Sequence, residues 1–154
     1  MPFPNLPLTE QLLLEGIDNG LHLGGQLYVS IDGRVVADEG IGESRRGVAM
    51  ERDTINLWMS STKPITAILF AQLYEQNRIG LDTRVSDVIP EFAFGGKEAI
   101  TFQHILTHTG GFRPEPDNVD SSDWNGVIAA ICGVPLEDDW TPGEKAGYHA
   151  GTSW

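Results

Sequence analysis

An S-x-x-K motif at the start of a long apolar stretch is the feature that most constrains this chain. Ser60 and Lys63 lie three positions apart, and residues 65–74 that follow are rich in isoleucine and leucine. If a helix begins near Ser60, this spacing places both side chains on one face, one turn apart. A serine hydroxyl becomes a good nucleophile only when a neighbour takes its proton, and a lysine at this distance can help. The plainer interpretation is a helix cap, with Pro64 in the first turn and Lys63 in solvent.

Composition and charge exclude several classes of function. The 154 residues fit one domain or slightly more, and a hydrophobic content of 40 % is typical of a globular protein. A net charge of −12 argues against nucleic acid and against anionic membranes as partners. The single cysteine, Cys132, excludes an internal disulfide and fits a reducing compartment. The N-terminus has neither a basic segment nor a long apolar run. We therefore expect a cytoplasmic protein, although a processed secreted form would look the same.

The first third of the chain predicts a helix followed by a hairpin. Residues 9–19 form the predicted helix, with Thr9 as its cap and Asn19-Gly20 at its end. Residues 25–31 and 34–37 are strand-like runs on either side of Asp32-Gly33, which is a strong hairpin signal. Alternation of Leu27, Val29 and Ile31 with polar residues predicts one buried face. Residues 41–56 are mostly polar and are interpreted as a connection.

The remaining two thirds predict mainly helices. Residues 60–78 carry apolar side chains on more than one stripe, which predicts a central, largely buried helix. A shorter helical or turn segment is predicted at 81–89, and Thr101 is a candidate N-cap for a helix over 102–108. A loop, a short helix and a turn are predicted in the last part, over residues 113–123, 124–132 and 140–144 respectively.

Two other arrangements of chemical groups are disfavoured. His104 and His108 stand four positions apart, a spacing that suits zinc, but the sequence offers no obvious third ligand. We expect these histidines to hold helix and loop backbone by hydrogen bonds, and no metal is predicted. A Ser60–His108 pair for a Ser-His-Asp triad is possible on composition alone. Because Ser60 does not lie in a G-x-S-x-G turn, an α/β-hydrolase is disfavoured.

Four segments together resemble the serine β-lactamase and penicillin-binding-protein-like hydrolases, and especially the class C-related group that contains family VIII esterases. The segments occur in the order of the family and at plausible spacings. They are the nucleophile segment LWMSSTKPITA at 57–67, GLDTRVSDVIPEF at 80–92, ITFQHILTHTGGF at 100–112, and WTPGE at 140–144 followed by Tyr148. Each segment alone is weak evidence, but together they are strong evidence.

The resemblance implies an α+β fold of the β-lactamase/transpeptidase type. In this fold an α/β domain with an antiparallel sheet is interrupted by an all-helical domain, and the site lies in the cleft between them. Residues 1–56 would supply the N-terminal helix and hairpin of the α/β domain, and residues 57–154 most of the helical domain. The C-terminal strands and the third motif, Lys-Thr-Gly or His-x-Gly, would lie beyond Trp154. We therefore expect a truncated version of the fold, inactive as 154 residues alone.

The resemblance also implies the chemistry. Ser60 would be the nucleophile of a covalent acyl-enzyme, Lys63 and Tyr148 would share the proton transfers, and Ser61 and His149 would contact substrate. A neighbouring ammonium favours the phenolate and would lower the pKa of Tyr148 below its ordinary value of about 10. The expected activity is that of a carboxylesterase, without any cofactor. The expected partner is a small-molecule ester or amide, with no nucleic acid or membrane partner and with the oligomeric state open.

Departures from the family pattern keep two alternatives open. The second motif, often Tyr-x-Asn, reads Tyr148-His149-Ala150, so the asparagine that helps to hold a substrate amide is missing. This change argues against β-lactam turnover more than against ester hydrolysis. Gly110 stands where the family often has serine, which should be harmless in a turn. The first alternative is a β-lactamase or D-Ala-D-Ala carboxypeptidase of the same mechanism. The second is a catalytically inactive binding protein or fragment.

Overall fold

A computed structural model describes residues 3–113 and 123–148 of the chain. Contacts divide the chain into two compact units, Met1–Leu57 and Trp58–Trp154. The assignment of residues 1–56 and 57–154 to the two domains of the family fold stays a prediction. In the ranges that the structure describes, no helix is long and apolar enough to cross a membrane.

The first unit opens with helix α1, Pro7–Asp18. The predicted helix is therefore present and ends before Asn19 as expected, but Thr9 is not its cap. The helix begins two residues earlier because Pro7, with its fixed φ and no N–H to satisfy, suits the first turn. Leu6 occupies the N-cap position without a side-chain hydrogen bond.

An antiparallel sheet of three strands follows in the described part of this unit: β1 (Gly24–Ile31), β2 (Arg34–Arg45) and β3 (Val48–Ala49). The predicted hairpin is confirmed, because Asp32 and Gly33 adopt φ values of 50° and 74°, as a type I′ turn requires. The prediction that residues 41–56 form a connection is wrong as far as Ala49. Pairing of Gly24 with Gly42 extends β2 to match the full length of β1, so tertiary pairing overrides the polar composition.

The core of the first unit forms between α1 and the hairpin. Phe3, Ala37 and Ile41 are buried, and the half-buried side chains packed against them are Leu6, Leu13, Ile17, Leu27 and Val29. The predicted buried face is therefore correct for Leu27 and Val29. It is wrong for Ile31, which is 59 % exposed beside the hairpin turn.

The second unit begins with a 3-10 helix, Met59–Thr62, that leads directly into helix α2, Lys63–Glu75. The predicted helix over 60–78 is thus shorter and starts with a tighter turn, because Pro64 belongs in the first turn of an α-helix. The prediction of a largely buried helix is wrong for this chain. Phe70 packs against Phe102 at 5.5 Å between ring centroids, but Ile65, Ile68 and Leu69 are each about half exposed. The apolar pattern correctly indicated that α2 has a large apolar surface. It did not indicate how much of that surface the other described residues cover.

Short helices form the rest of the second unit. The 3-10 segments Val85–Asp87 and Pro90–Gly96, the second of which is kinked at Phe94 and Gly95, precede α3 (Phe102–Leu106) and α4 (Trp124–Gly133). Thr101 caps α3 as predicted: its hydroxyl accepts the His104 N–H while its own N–H donates to the His104 ring. The predicted short helix at 124–132 and the turn at 140–144 are confirmed. Most of the predicted loop, residues 114–122, lies outside the described residues.

A buried lysine lies beside the core of this unit, which is built on Val85, Phe92, Ile100, Phe112 and Cys132. Lys97 is fully buried, and its Nζ donates to the carbonyl of Cys132 at 3.0 Å and to the carbonyl of Val134. A cation suits the C-terminal end of α4, where carbonyl groups carry partial negative charge. The ammonium also lies within 6.0 Å of three aromatic ring centroids, those of Phe92, Phe94 and Phe112. Burial lowers the pKa of Lys97, because it disfavours the charged form.

Replacement of Lys97 tests this contact. Lys97→Met should lower the free energy of unfolding by about 2 kcal/mol or more, because a buried carbonyl left without its donor costs about 1–3 kcal/mol. Lys145→Met is the matched control, since Lys145 is exposed and lies over the Trp140 ring, a contact that contributes about 0.5–1 kcal/mol. Denaturant unfolding followed by tryptophan fluorescence measures both variants. Equal effects of the two substitutions would contradict the structural role of Lys97.

The same lysine predicts a dependence of stability on alkaline pH. The pKa of Lys97 in the folded chain lies below its ordinary value of 10.5, so the unfolded chain binds more protons just below that value. Stability of the wild type should therefore rise as the pH increases through this window. Lys97→Met should lack the rise, and an identical pH profile for the two proteins would contradict the lowered pKa of Lys97 and the burial that causes it.

Candidate active site

Three polar side chains from two distant parts of the sequence meet in the second unit. Lys63 Nζ donates to Ser60 Oγ at 3.2 Å and to the Tyr148 hydroxyl at 3.0 Å. The hydroxyl groups of Ser60 and Tyr148 are joined by a short hydrogen bond. Each of the three groups therefore touches the other two, so a proton can pass between them without any large movement.

The turn around Ser60 fixes the serine end of this arrangement. Ser60 lies in the 3-10 helix and Lys63 is the first residue of α2, so one helical turn brings their side chains together. Met59, directly before Ser60, adopts a left-handed backbone with φ of 48°. Such a conformation is uncommon for a residue with a side chain and recurs at functional sites. Ser61 is exposed beside Ser60, and its N–H donates to the Trp58 carbonyl at 2.9 Å.

The segment after α3 holds the tyrosine end. The Thr109 carbonyl accepts from the Trp140 indole at 3.0 Å and from the Gly143 N–H at 3.2 Å. The indole lies so close to Gly111 that a Cβ atom there would be 2.0 Å from the Trp140 ring. Further along, the Gly147 N–H donates to the His108 carbonyl at 2.8 Å. These hydrogen bonds fix the path of the chain up to Tyr148, whose side chain remains exposed.

Hydrogen bonds also set the electrostatics of the site. The pKa of Tyr148 is lowered from its ordinary value of 10.0, first by the hydrogen bond with Ser60 and then by that with Lys63. Both partners stabilise the phenolate. The expectation that Tyr148 has a lowered pKa is confirmed in direction. The largest single cause is the hydrogen bond with Ser60, and Lys63 lowers the pKa of Tyr148 both by its hydrogen bond and by its charge.

The predicted site residues have different positions in the structure. Ser60, Lys63 and Tyr148 are brought together, Ser61 is adjacent to them, and His149 lies outside the described residues. Their catalytic and binding roles stay predictions. His104 Nδ1 accepts from the Thr101 N–H at 3.1 Å, which is the backbone role expected for it. Over residues 3–113 and 123–148, no cluster of three or more His, Cys, Asp or Glu side chains could hold a metal ion.

Sequence reasoning missed two features of the site. It gave no sign that Met59 adopts a left-handed backbone, because methionine has no preference for positive φ. It considered His108 as a base for Ser60 but not as a neighbour of Tyr148. The two rings lie 5.0 Å apart, at an interplanar angle of 52°. This contact joins residues 40 positions apart, and local pattern cannot predict it.

The sequence profile of the Beta-lactamase family matches residues 10–154. This chain therefore belongs to the β-lactamase family, whose members include serine hydrolases such as esterases as well as penicillin-binding proteins, and the described residues adopt part of the β-lactamase/transpeptidase fold.

Similar proteins include both esterases and penicillin-binding proteins. The chain is 35 % identical over 77 residues to esterase EstB of Burkholderia gladioli, covering 47 % of this chain and 20 % of EstB. It is 36 % identical over 92 residues to penicillin-binding protein 4 of Amycolatopsis lactamdurans, covering 57 % and 24 % respectively. A penicillin-binding protein homologue from Caulobacter crescentus superimposes with a TM-score of 0.82 at 31 % identity, over 97 % of this chain and 42 % of that one. The chain thus spans a fifth to a quarter of the length of these two curated relatives.

Spectrophotometric titration of phenolates tests the hydrogen-bonded site directly. The chain has three tyrosines, and we expect the phenol that disappears from the titration in Tyr148→Phe to ionise below the ordinary value of 10.0. Ser60→Ala and Lys63→Met should each raise the pKa of Tyr148 toward that value, since each removes a partner of the phenolate.

Tyr74→Phe is the control for this titration, because Tyr74 lies on α2 and belongs to no part of the site. It should leave the early-titrating phenol unchanged. A Tyr148 that ionises at its ordinary pH in the wild type would show that the contacts with Ser60 and Lys63 do not persist in solution.

Proposed function

We propose that this chain carries the nucleophile of a serine hydrolase that cleaves carboxylic esters through a covalent Ser60 ester. The observation that supports the proposal is the hydrogen bonding of one serine hydroxyl to both a lysine and a tyrosine of lowered pKa. A serine that only caps a helix has no need of either partner. An activated serine needs a proton acceptor within hydrogen-bond reach, and we assign that role to the phenolate form of Tyr148, with Lys63 donating to both oxygens.

Acylation begins when Ser60 Oγ attacks the carbonyl carbon of the ester. The serine proton passes to the phenolate form of Tyr148, which the neighbouring Lys63 ammonium stabilises. As the carbon–oxygen bond to the alcohol breaks, the same proton is delivered to the leaving oxygen. The alcohol departs, and the acyl group remains on Ser60 as an ester.

Deacylation uses the same groups, but water is now the nucleophile and Ser60 is the leaving group. A water molecule attacks the acyl carbon while Tyr148 takes a proton from it, and the Ser60 oxygen receives that proton as its bond to the acyl carbon breaks. A carboxylic acid is released, and the site returns to its starting state. Because Lys63 hydrogen-bonds to both hydroxyl oxygens, it can hold the pair in place through both steps.

The start of the helix supplies part of the stabilisation for the oxyanion. Ser60 stands at the N-terminal end of the 3-10 helix that leads into α2, where backbone N–H groups carry partial positive charge. The backbone N–H of Ser60 is the donor that we assign to the developing oxyanion. The resemblance to the family implies a second donor from a strand that follows the third motif. Such donors matter, because loss of one typically reduces the rate about 100- to 1000-fold.

Two observations favour an ester over a β-lactam as substrate. Residues 148–150 read Tyr148-His149-Ala150 and lack the asparagine that helps family members hold a substrate amide. In addition, a solved structure described as a family VIII carboxylesterase superimposes with a TM-score of 0.77 at 25 % identity. The second candidate is a β-lactamase or D-Ala-D-Ala carboxypeptidase. The similarity to two penicillin-binding proteins favours that reading, and both candidates use the same covalent serine.

Covalent labelling distinguishes the nucleophile from its neighbour. A fluorophosphonate probe should label the product of the complete gene at Ser60, and Ser60→Ala should lose the label without loss of folding. Ser61→Ala is the positional control: Ser61 is an adjacent exposed serine that we predict contacts substrate, so the variant should react more slowly but still carry the label at Ser60. Mass spectrometry of the labelled peptide reads the position. Labelling that survives in Ser60→Ala would make the assignment wrong, and a wild type that takes no label would favour an inactive binding protein.

Parallel assays separate the two candidate activities. Hydrolysis of a short-chain nitrophenyl ester should exceed that of a chromogenic cephalosporin by at least about 100-fold in kcat/KM, or about 2.7 kcal/mol in transition-state stabilisation. Ala150→Asn, which introduces the missing amide, should narrow the difference by improving cephalosporin turnover. A wild type that prefers the cephalosporin would support the second candidate.

A further inference from the structure

His108 has an uncommon combination of backbone and side-chain features. Its backbone is left-handed, with φ of 58°, and it lies just after α3. Its half-buried ring lies 5.0 Å from the ring of Tyr148, and its carbonyl accepts the N–H of Gly147, the residue before Tyr148. One residue thus contacts the backbone that carries the tyrosine and also the phenol ring itself.

The tyrosine needs support of this kind. Tyr148 follows a turn, lies in no helix or strand, and is 55 % exposed. A side chain in that setting loses rotational freedom when it is held in one orientation, which opposes the meeting with Ser60 and Lys63. A neighbour that already restricts the ring reduces this loss, because the phenol is then confined before the hydrogen bonds form.

The backbone around His108 is itself well anchored. On one side of it, His108 N–H donates to the Ile105 carbonyl at 3.1 Å. On the other side, the Thr109 carbonyl accepts hydrogen bonds from the Trp140 indole and from the Gly143 N–H. These two residues begin the segment that ends at Tyr148. The ring of His108 therefore projects from a turn whose backbone is held by contacts other than those with the phenol ring.

From this geometry we propose that His108 is a positioning residue, whose ring holds the Tyr148 phenol against Ser60 and Lys63. The consequence for catalysis rests on the proposed function, whereas the positioning itself does not. Histidine meets two demands at once. It is among the few residues enriched at positive φ, and it presents a flat ring to the phenol. Asparagine would meet only the first demand, and phenylalanine only the second.

This division suggests a matched pair of variants. His108→Asn keeps the preference for a left-handed backbone and removes the ring, whereas His108→Phe keeps a ring. The first measurement is the pKa of the Tyr148 phenol, followed by phenolate absorbance in the complete gene product. Each His108 variant is compared with the same variant carrying Tyr148→Phe, so that the difference between the two titrations belongs to Tyr148. The second is kcat and KM for a nitrophenyl ester. His108→Ala, which also removes the ring, replaces His108→Asn if that variant does not fold.

The expected results separate a role of the ring from a general role in folding. His108→Asn should raise the pKa of Tyr148 toward its ordinary value and lower kcat by about 10- to 100-fold, the effect of a small misplacement, with KM changed less than about 3-fold. His108→Phe should keep the wild-type titration and most of kcat, because backbone hydrogen bonds hold the turn and the strain of phenylalanine at a φ of 58° should appear as lower stability. A wild-type titration of Tyr148 in His108→Asn would overturn the proposal, as would a His108→Phe variant as impaired as His108→Asn. If the wild type hydrolyses no ester, the proposed function fails, but the titration still decides whether His108 positions Tyr148.

Discussion

The hydrogen bonds among Ser60, Lys63 and Tyr148 are the constraint on which the architecture of the second unit depends. Two of these residues are neighbours in one helical turn, but the third arrives 85 positions after Lys63. The chain between them must therefore return to its starting point with an accuracy of a few tenths of an ångström, since a hydrogen bond tolerates little more. The contacts of the Thr107–Gly111 turn serve this return: its carbonyls accept N–H groups from Trp140, Gly143 and Gly147, three points along the path to Tyr148.

Local sequence signals predicted the features that local forces determine. The Asp32-Gly33 turn, the Thr101 cap and the one-turn spacing of Ser60 and Lys63 all depend on residues within a few positions of one another, and the structure contains each of them. The placement of Tyr148 was expected only through resemblance to a family, because four segments in a familiar order carry long-range information that periodicity lacks. Without that resemblance, nothing in the sequence links position 148 to position 60.

The errors in β2 and α2 share one physical origin, which is dependence on distant partners. Strand β2 continues to Arg45 because β1 pairs with it as far as Gly42 and β3 pairs with it from Glu43 to Arg45, not because its own residues favour a strand. The apolar side chains of α2 predicted burial, but burial needs a covering surface, and Ile68 is 60 % exposed in this chain. Thr9 is a residue type that favours the N-cap position, but the helix already begins at Pro7. For β2 and α2 the local preference was real and a tertiary contact or its extent decided the outcome, whereas for Thr9 a second local signal, Pro7, decided it.

Two lowered pKa values in the second unit have opposite physical causes, and the contrast distinguishes a structural group from a reactive one. Burial lowers the pKa of Lys97 by disfavouring its charged form, and its donors are already committed to the carbonyls at the end of α4. Directed hydrogen bonds lower the pKa of Tyr148 by favouring its charged form, while the side chain remains exposed to an incoming molecule. A lowered pKa alone would indicate both Lys97 and Tyr148 as candidates for catalysis. Of the two, only Tyr148 combines a stabilised charged form with exposure and with a serine hydroxyl in contact, and the ring of His108 lies beside its phenol ring.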